Sequence, residues 1–304
     1  MVTDAQRVDI MIKIDLHIHS KDCSDGKMSL DDIFKEAKRR KIRVISITDH
    51  DSIDCQDRAM MLARDIGAYY VTGVELNIAF SHKDYKGGKS VSLDVLGYRY
   101  DINNRPLMDK LHELRRYRRK RGAKILEKIN DELSKNGIPC LTQADLAAIE
   151  ESVDGTFGRP HIADFLVKKG IVGDRQEAFD RYLVKCNVPK MPVSLKEASE
   201  LVRNAGGVLV LAHPNNPNGT SLVSLTKSIK EQHRIIKDAM LPYIDGIECW
   251  HSSHDSRTVS EYLKFARTEG LMVTGGSDCH QNPVIMGTMP VPLFVAEQFG
   301  FCGE

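Results

Sequence analysis

Short apolar runs alternate with amphipathic stretches near both ends of this chain, and a long stretch without strand character lies between them. Residues 13–19 (Lys-Ile-Asp-Leu-His-Ile-His) have a period of two, which puts Leu16 and Ile18 on one face of a strand and His17 and His19 on the other. Ser29, three residues before Asp32, reads as a helix cap, and Ile33, Phe34 and Ala37 give the helix an apolar face that runs into a basic turn at 38–41. A buried strand at 44–47, a helix at 54–66 and strands at 70–75 and 91–98 follow. From about residue 103 to 190 only helices are predicted, at 107–133 (closed by Asn136, Gly137 and Pro139), 142–149, 160–169 and 175–183. The alternation then resumes. Ser194 and Glu197 form a capping box, a strand at 208–211 follows Gly206 and Gly207, and a helix at 221–239, a strand at 244–248, a helix at 256–269 and a strand at 271–274 complete it. The expected architecture is an α/β body with a parallel sheet, built from residues 1–102 and 191–304, with an all-helical insertion at 103–190 serving as a substrate cap. Residues 1–10 receive no function.

Nearly every predicted strand ends on a residue able to bind a metal. In chain order these are His17, His19, Asp25, His50, Glu75, Asp94, His213, Asp278 and His280. Each alone has an ordinary alternative as a helix cap, a turn residue or a packed histidine. Their recurrence at one end of a parallel sheet is what an active site at that end requires. Nine ligands are too many for one ion and would serve about three. Imidazole and carboxylate without thiolate suit manganese, iron or zinc, with magnesium allowed. Trp250, His251 and His254 also follow a strand end; His254 is a candidate contact to a phosphate or leaving group, with a surface role as the alternative.

Composition narrows the classes. With 43 basic against 42 acidic residues the net charge points to neither nucleic acid nor membrane as a whole, and no apolar run reaches spanning length. The polar start of the chain is unlike a signal peptide. Seven scattered cysteines without a CxxC pair suggest no disulfide framework and no thiolate zinc site, so a cytoplasmic protein is expected, with no obligate protein partner. Locally, residues 110–124 carry Arg115, Arg116, Arg118, Arg119, Lys120 and Arg121, either a phosphate grip or a solvated helix face paired with Glu113 and Glu127.

The ordered set Asp-Leu-His-Ile-His-Ser with Ser24-Asp25-Gly26, then Thr48-Asp49-His50-Asp51, Gly73-Val74-Glu75, Ala212-His213-Pro214 and Ser277-Asp278-Cys279-His280 resembles the PHP (polymerase and histidinol phosphatase) superfamily from about residue 14 to 293. Within it the chain is most similar to stand-alone phosphoesterases acting on nucleotides, including 5′-3′ exoribonucleases, which carry a Gly158-Arg159-Pro160-His161-Ile162-Ala163-like stretch in a helical insertion. The resemblance implies a distorted seven-stranded (β/α) barrel, a three-metal centre at its C-terminal face, and hydrolysis of nucleotide phosphate esters (monophosphates or 3′,5′-bisphosphates) or of the 5′ end of short RNA or DNA. Asp94 stands where many members have histidine. Glu75 is expected to bridge two ions, hydroxide generated there to attack phosphorus, and His254 to assist. Arg159 and His161 are expected to hold a substrate phosphate at a helix start. The alternatives are a histidinol-phosphate phosphatase and a non-catalytic, metal-stabilised nucleic-acid-binding module.

Overall fold

The computed structural model describes residues 12–151, 158–280 and 284–303, so the reading of residues 1–10 lies outside the described residues. It is a mixed α/β fold. Its strands are β1 (Lys13–Asp15), β2 (Ile42–Ile45), β3 (Tyr69–Tyr70), β4 (Gly73–Phe80), β5 (Val91–Tyr98), β6 (Val208–Leu211), β7 (Gly246–Trp250) and β8 (Met272–Gly275). Its helices are α1 (Leu30–Arg40), α2 (Gln56–Asp65), α3 (Arg105–Lys135), α4 (Gln143–Glu151), α5 (Arg159–Lys168), α6 (Arg175–Ala178), α7 (Leu195–Asn204), α8 (Ile229–Ala239), α9 (Ser256–Glu269) and α10 (Leu293–Glu297).

Local chemistry sets many of these boundaries. The Ser29 hydroxyl accepts from the Asp32 N–H at 3.2 Å to start α1, and Ser194 does the same for Glu197 at 3.1 Å in α7. Gly270, at φ 70°, stops α9 in the left-handed region that glycine adopts without penalty. The helix expected over 221–239 begins only at Ile229: a short 3₁₀ turn at Leu222–Ser224 comes first, and the Ser228 hydroxyl restarts the chain as a new cap. The strand expected at 70–75 is broken between Tyr70 and Gly73, and its second part runs on to Phe80.

The strands form two sheets, one of three in the order β1-β2-β3 and one of five in the order β4-β5-β6-β7-β8. The first is parallel; in the second, β5 runs antiparallel to both β4 and β6 while β6, β7 and β8 are parallel. This corrects two expectations. The sheet is not wholly parallel, because the short link from β4 to β5 makes a hairpin rather than a helical crossover. A closed seven-stranded barrel is also not what the pairing gives. The two sheets meet through isolated parallel bridges, Ile18 with Cys279 on one side and His50 with Glu75 on the other.

The main apolar core runs under both sheets, from Ile14 and Leu16 to Phe299. A second core consists wholly of residues from Ile125 to Cys186, on α3 to α6, the π-helical turn Phe179–Leu183 and the loops between and after them. The expectation of no disulfide does not hold: Cys23, in the loop after β1, is bonded to Cys55 at the start of α2. Their sequence separation of 32 hides the pairing from sequence spacing, because the packing of α1 against α2 brings the two loops together. Scattered cysteines therefore no longer argue for a reducing compartment. Among the described residues no helix is long and apolar enough to cross a membrane.

Candidate metal centre

Strand ends from both sheets converge on one buried patch. His17 and His19 leave β1 on the same face and are 0% and 1% exposed. Beneath them the buried Asp15 carboxylate accepts the Ser277 N–H at 2.9 Å and the Gly287 N–H at 2.7 Å, which fastens β1 to the segment after β8. Gly276 is required there, since a Cβ at this position would lie 2.4 Å from the His17 backbone nitrogen. Asp49 accepts both the N–H and the hydroxyl of Ser20, at 2.7 and 2.6 Å, and so holds the loop that carries Asp25 against the loop that carries His50. Glu75 projects from β4, His213 follows β6, and Asp278 and His280 follow β8.

Glu75 and Asp278 are the hubs. Glu75 Oε1 lies 3.1 Å from His213 Nε2 and 3.5 Å from His17 Nε2, and its Oε2 lies 3.0 Å from His50 Nδ1 and 3.3 Å from His19 Nε2. Asp278 Oδ1 lies 3.3 Å from nitrogens of His17, His19 and His280. Three clusters result: His19, Asp25, His50 and His280; His17, Glu75 and His213; and His17, His19 and Asp278, the candidate ligand atoms of each lying within 4.8 Å of one another. Buried atoms here, among them His19 Nδ1 and His213 Nδ1, have no hydrogen-bond partner. Leaving such atoms unsatisfied costs about 1–3 kcal/mol each, and imidazole and carboxylate groups around shared points are the donor set of borderline divalent cations. The residues present fit such ions.

Electrostatics agree. Burial alone would raise Glu75, Asp278 and Asp25, yet neighbouring histidines hold all three well below the ordinary carboxylate range. Burial alone would lower His19 and His213, yet Asp278 and Glu75 push His19 up to about 10 and Glu75 pushes His213 up to about 9. Without a cation the site holds protons where a metal would otherwise supply positive charge.

Eight of the nine sequence-derived ligands fall in these clusters. Asp94 falls in none. It lies mid-strand on β5 opposite Asn77, whose side-chain amide donates to it at 2.5 Å, and its carboxyl is raised by burial and by Glu75. Its carboxylate is engaged by the Asn77 amide, while Glu75, His213 and His50 stay close enough to act on its charge. His254 is also placed differently. Its Nδ1 donates to the Cys249 carbonyl at 2.9 Å, its Nε2 accepts the Asn215 N–H at 3.3 Å, and burial lowers it to about 4. It is a neutral bracket between two loops. Arg159 and His161 open α5: the Arg159 guanidinium stacks 5.3 Å from the Phe179 ring centre, and His161 Nδ1 accepts the Gly158 N–H at 3.1 Å. Burial keeps His161 below its ordinary value. His161 lines a cavity of about 370 Å³ together with Asp25, Lys21, Lys27 and Lys168.

Sequence reasoning missed Glu248 and noted His251 after a strand end without giving it a role in the site. Glu248 ends a predicted strand as other candidates do, and His251 follows the same strand, so position alone could have found both. On α3, Arg118 donates to Asp51 at 2.6 Å and Arg121 donates to the Val188 carbonyl at 2.6 Å, whereas Arg119 and Lys120 face solvent. The basic helix is thus partly a packed face and partly a solvated one.

The model of the PHP domain matches residues 15–209. The chain belongs to the PHP domain family. It is a metal-dependent phosphoester hydrolase. A 5′-3′ exoribonuclease of Haemophilus influenzae is 28% identical over 275 residues, covering 88% of this chain and 90% of that protein. A phosphoribosyl 1,2-cyclic phosphate 1,2-diphosphodiesterase of Eggerthella lenta is 23% identical over 88% of this chain and 93% of that protein. Among solved structures, a metal-dependent phosphoesterase from Bifidobacterium adolescentis superposes with a TM-score of 0.76 at 28% identity, covering 94% of this chain and 95% of that one.

Proposed function

We propose that this PHP protein hydrolyses phosphate esters of nucleotides or of the 5′ end of short nucleic acids, with residues 103–190 as a cap over the substrate. The observation that carries this reading is that Asp25 belongs to a ligand cluster and also lines the cavity shared with His161, Lys21, Lys27 and Lys168. A phosphoester at the clusters therefore has beside it a recess that sets Lys21, Lys27, Lys168 and His161 against the carboxylates of Asp25 and Asp164, with Lys27 paired to Asp164, and the lysines there suit it to a second phosphate. The exoribonuclease name of a relative aligned over most of both chains points the same way.

Divalent cations held by His17, His19, Asp25, His50, Glu75, His213, Asp278 and His280 would acidify a water and neutralise the phosphate oxygens. The chain supplies the rest. Glu75 faces four histidines with its two oxygens, which suits it to hold two clusters in one geometry. Glu248 and Asp49 fix the orientation of His17 and of the Asp25 loop. The buried walls keep bulk water out, which strengthens every charge interaction within.

Protein loaded with manganese should be assayed on mononucleotides, 3′,5′-bisphosphates, 5′-phosphorylated oligonucleotides, a cyclic phosphodiester, histidinol phosphate and an aryl phosphate. Arg159→Ala should raise KM at least tenfold for a bisphosphate or oligonucleotide and much less for the aryl phosphate. Turnover confined to histidinol phosphate, or equal losses on both substrate types with a matching fall in thermal stability, would overturn the reading.

A further inference from the structure

A cavity of about 500 Å³ opens beside the metal centre, on the side of β7 and α9, and none of its lining residues belongs to the ligand clusters. Its inner wall is Trp250 and His251. His251 Nε2 lies 3.2 Å from Asp278 Oδ2, and its ring centre is 5.1 Å from that of His213. One imidazole therefore separates the cavity from the candidate ligands. Val259 and Leu263 of α9 and Met289 form the other apolar walls, and the Ser260 hydroxyl stands in the lining where α9 reaches solvent.

We propose that this cavity is a nucleobase subsite, taking the base of a nucleotide whose phosphate lies at the metal centre. The proposal rests on the nucleotide reading above and adds where the base goes and how it is read. Three properties point to a flat, uncharged ring. The volume falls in the range of small-ligand sites, which are mostly apolar with a few placed polar groups. Trp250 and His251, 6% and 2% exposed, close the floor with ring edges, and Val259, Leu263 and the adaptable Met289 thioether supply the apolar sides between which a flat ring fits. No carboxylate or amide side chain stands among the described lining residues, and the short hydroxyls of Ser256 and Ser260 can each donate or accept, so they suit the edge of any base. A charged second phosphate is disfavoured because the one cation of the lining, Lys264, has Glu261 as a neighbour at 3.5 Å. The subsite should accept purines and pyrimidines alike, as an enzyme acting along mixed sequences needs.

Trp250 is the chain's single tryptophan, so its fluorescence reports on this cavity directly. The full chain should be titrated with adenosine, with uridine and with ribose. Saturable quenching by both nucleosides and none by ribose is expected. Ser260→Phe, at an exposed position, should fill the cavity without disturbing the core, and should raise the nucleoside Kd and the nucleotide KM at least tenfold while leaving ribose 5-phosphate turnover unchanged. Val259→Phe provides a second filling variant from the same wall. Absence of quenching in the wild type, or an unchanged nucleoside Kd in both variants, would overturn the subsite. Nucleotide hydrolysis without quenching would sink the subsite alone, and quenching without hydrolysis of any nucleotide would sink the substrate reading instead.

Discussion

Glu248 Oε1 accepts the Nδ1–H of His17 at 3.0 Å, and both side chains are fully buried. The other carboxylate oxygen accepts the His213 backbone N–H at 2.8 Å. One carboxylate thus fixes the ring of one candidate ligand, turning its Nε2 toward Glu75 and Asp278, and fixes the backbone that carries another. Glu248→Gln should weaken metal binding by about 10–100-fold, with hydrolysis recovering as metal is added. Competition with a chromophoric chelator measures this, and wild-type affinity in the variant would show that the orientation is set elsewhere.

Asp94 and Asp278 should respond differently to the same change. Asp278 touches four histidines, His17, His19, His251 and His280, whereas Asp94 is held by Asn77 outside the clusters. Asp278→Asn should lower the metal bound per chain, and Asp94→Asn should leave it within error of the wild type. Elemental analysis after dialysis decides between them; equal losses would return Asp94 to the ligand set.

The metal-free protein should become less stable as the solution turns alkaline. His19 and His213 stand at about 10 and about 9 when folded, above the ordinary histidine value, so the folded state holds protons that the unfolded chain has released. Their contribution is complete below about pH 6.5 and fades as the pH rises through about 9 to 10. Thermal unfolding in chelator at a series of pH values tests this. Metal binding near neutrality should release protons, read from the dependence of the calorimetric heat on buffer ionisation enthalpy. A flat stability profile from pH 6.5 to 10 would mean that these imidazoles are neutral without metal.

Gly276→Ala should disable the centre from the backbone side. The added Cβ would lie 2.4 Å from His17 N and from His17 Cβ, closer than real contacts allow, so His17 must move. Metal content and turnover should fall together, and turnover should stay low at saturating manganese. Normal turnover with a shifted Tm would show that β1 can give way without moving its ligand.

Much of this centre was legible because its chemistry sits at positions that a period of two and a strand end define. His17 and His19 needed only the alternation of Leu16 and Ile18 around them, and Asp278 and His280 only the run out of β8. The antiparallel turn of β5 was not legible, since strand direction depends on which neighbour a segment pairs with, and neither was the Asn77 amide across from Asp94 that engages its carboxylate. His254 resembled a ligand from its place after β7, but its two nitrogens are taken by backbone groups that only the folded loops bring near. The bond between Cys23 and Cys55 was hidden for the same reason.

The bridge between Ile18 and Cys279 has a consequence for the order of events during synthesis. The first two histidines leave the ribosome more than 250 residues before Asp278, the later of the two cluster carboxylates they face, because translation runs from Ile18 toward Cys279. Until then Asp15, whose acceptors wait for Ser277 and Gly287, is a buried-type carboxylate without its donors. A nascent chain of the first 200 or so residues therefore carries an open seam and half a centre, and hydrolytic competence arrives as a late, single closing event rather than growing with the chain.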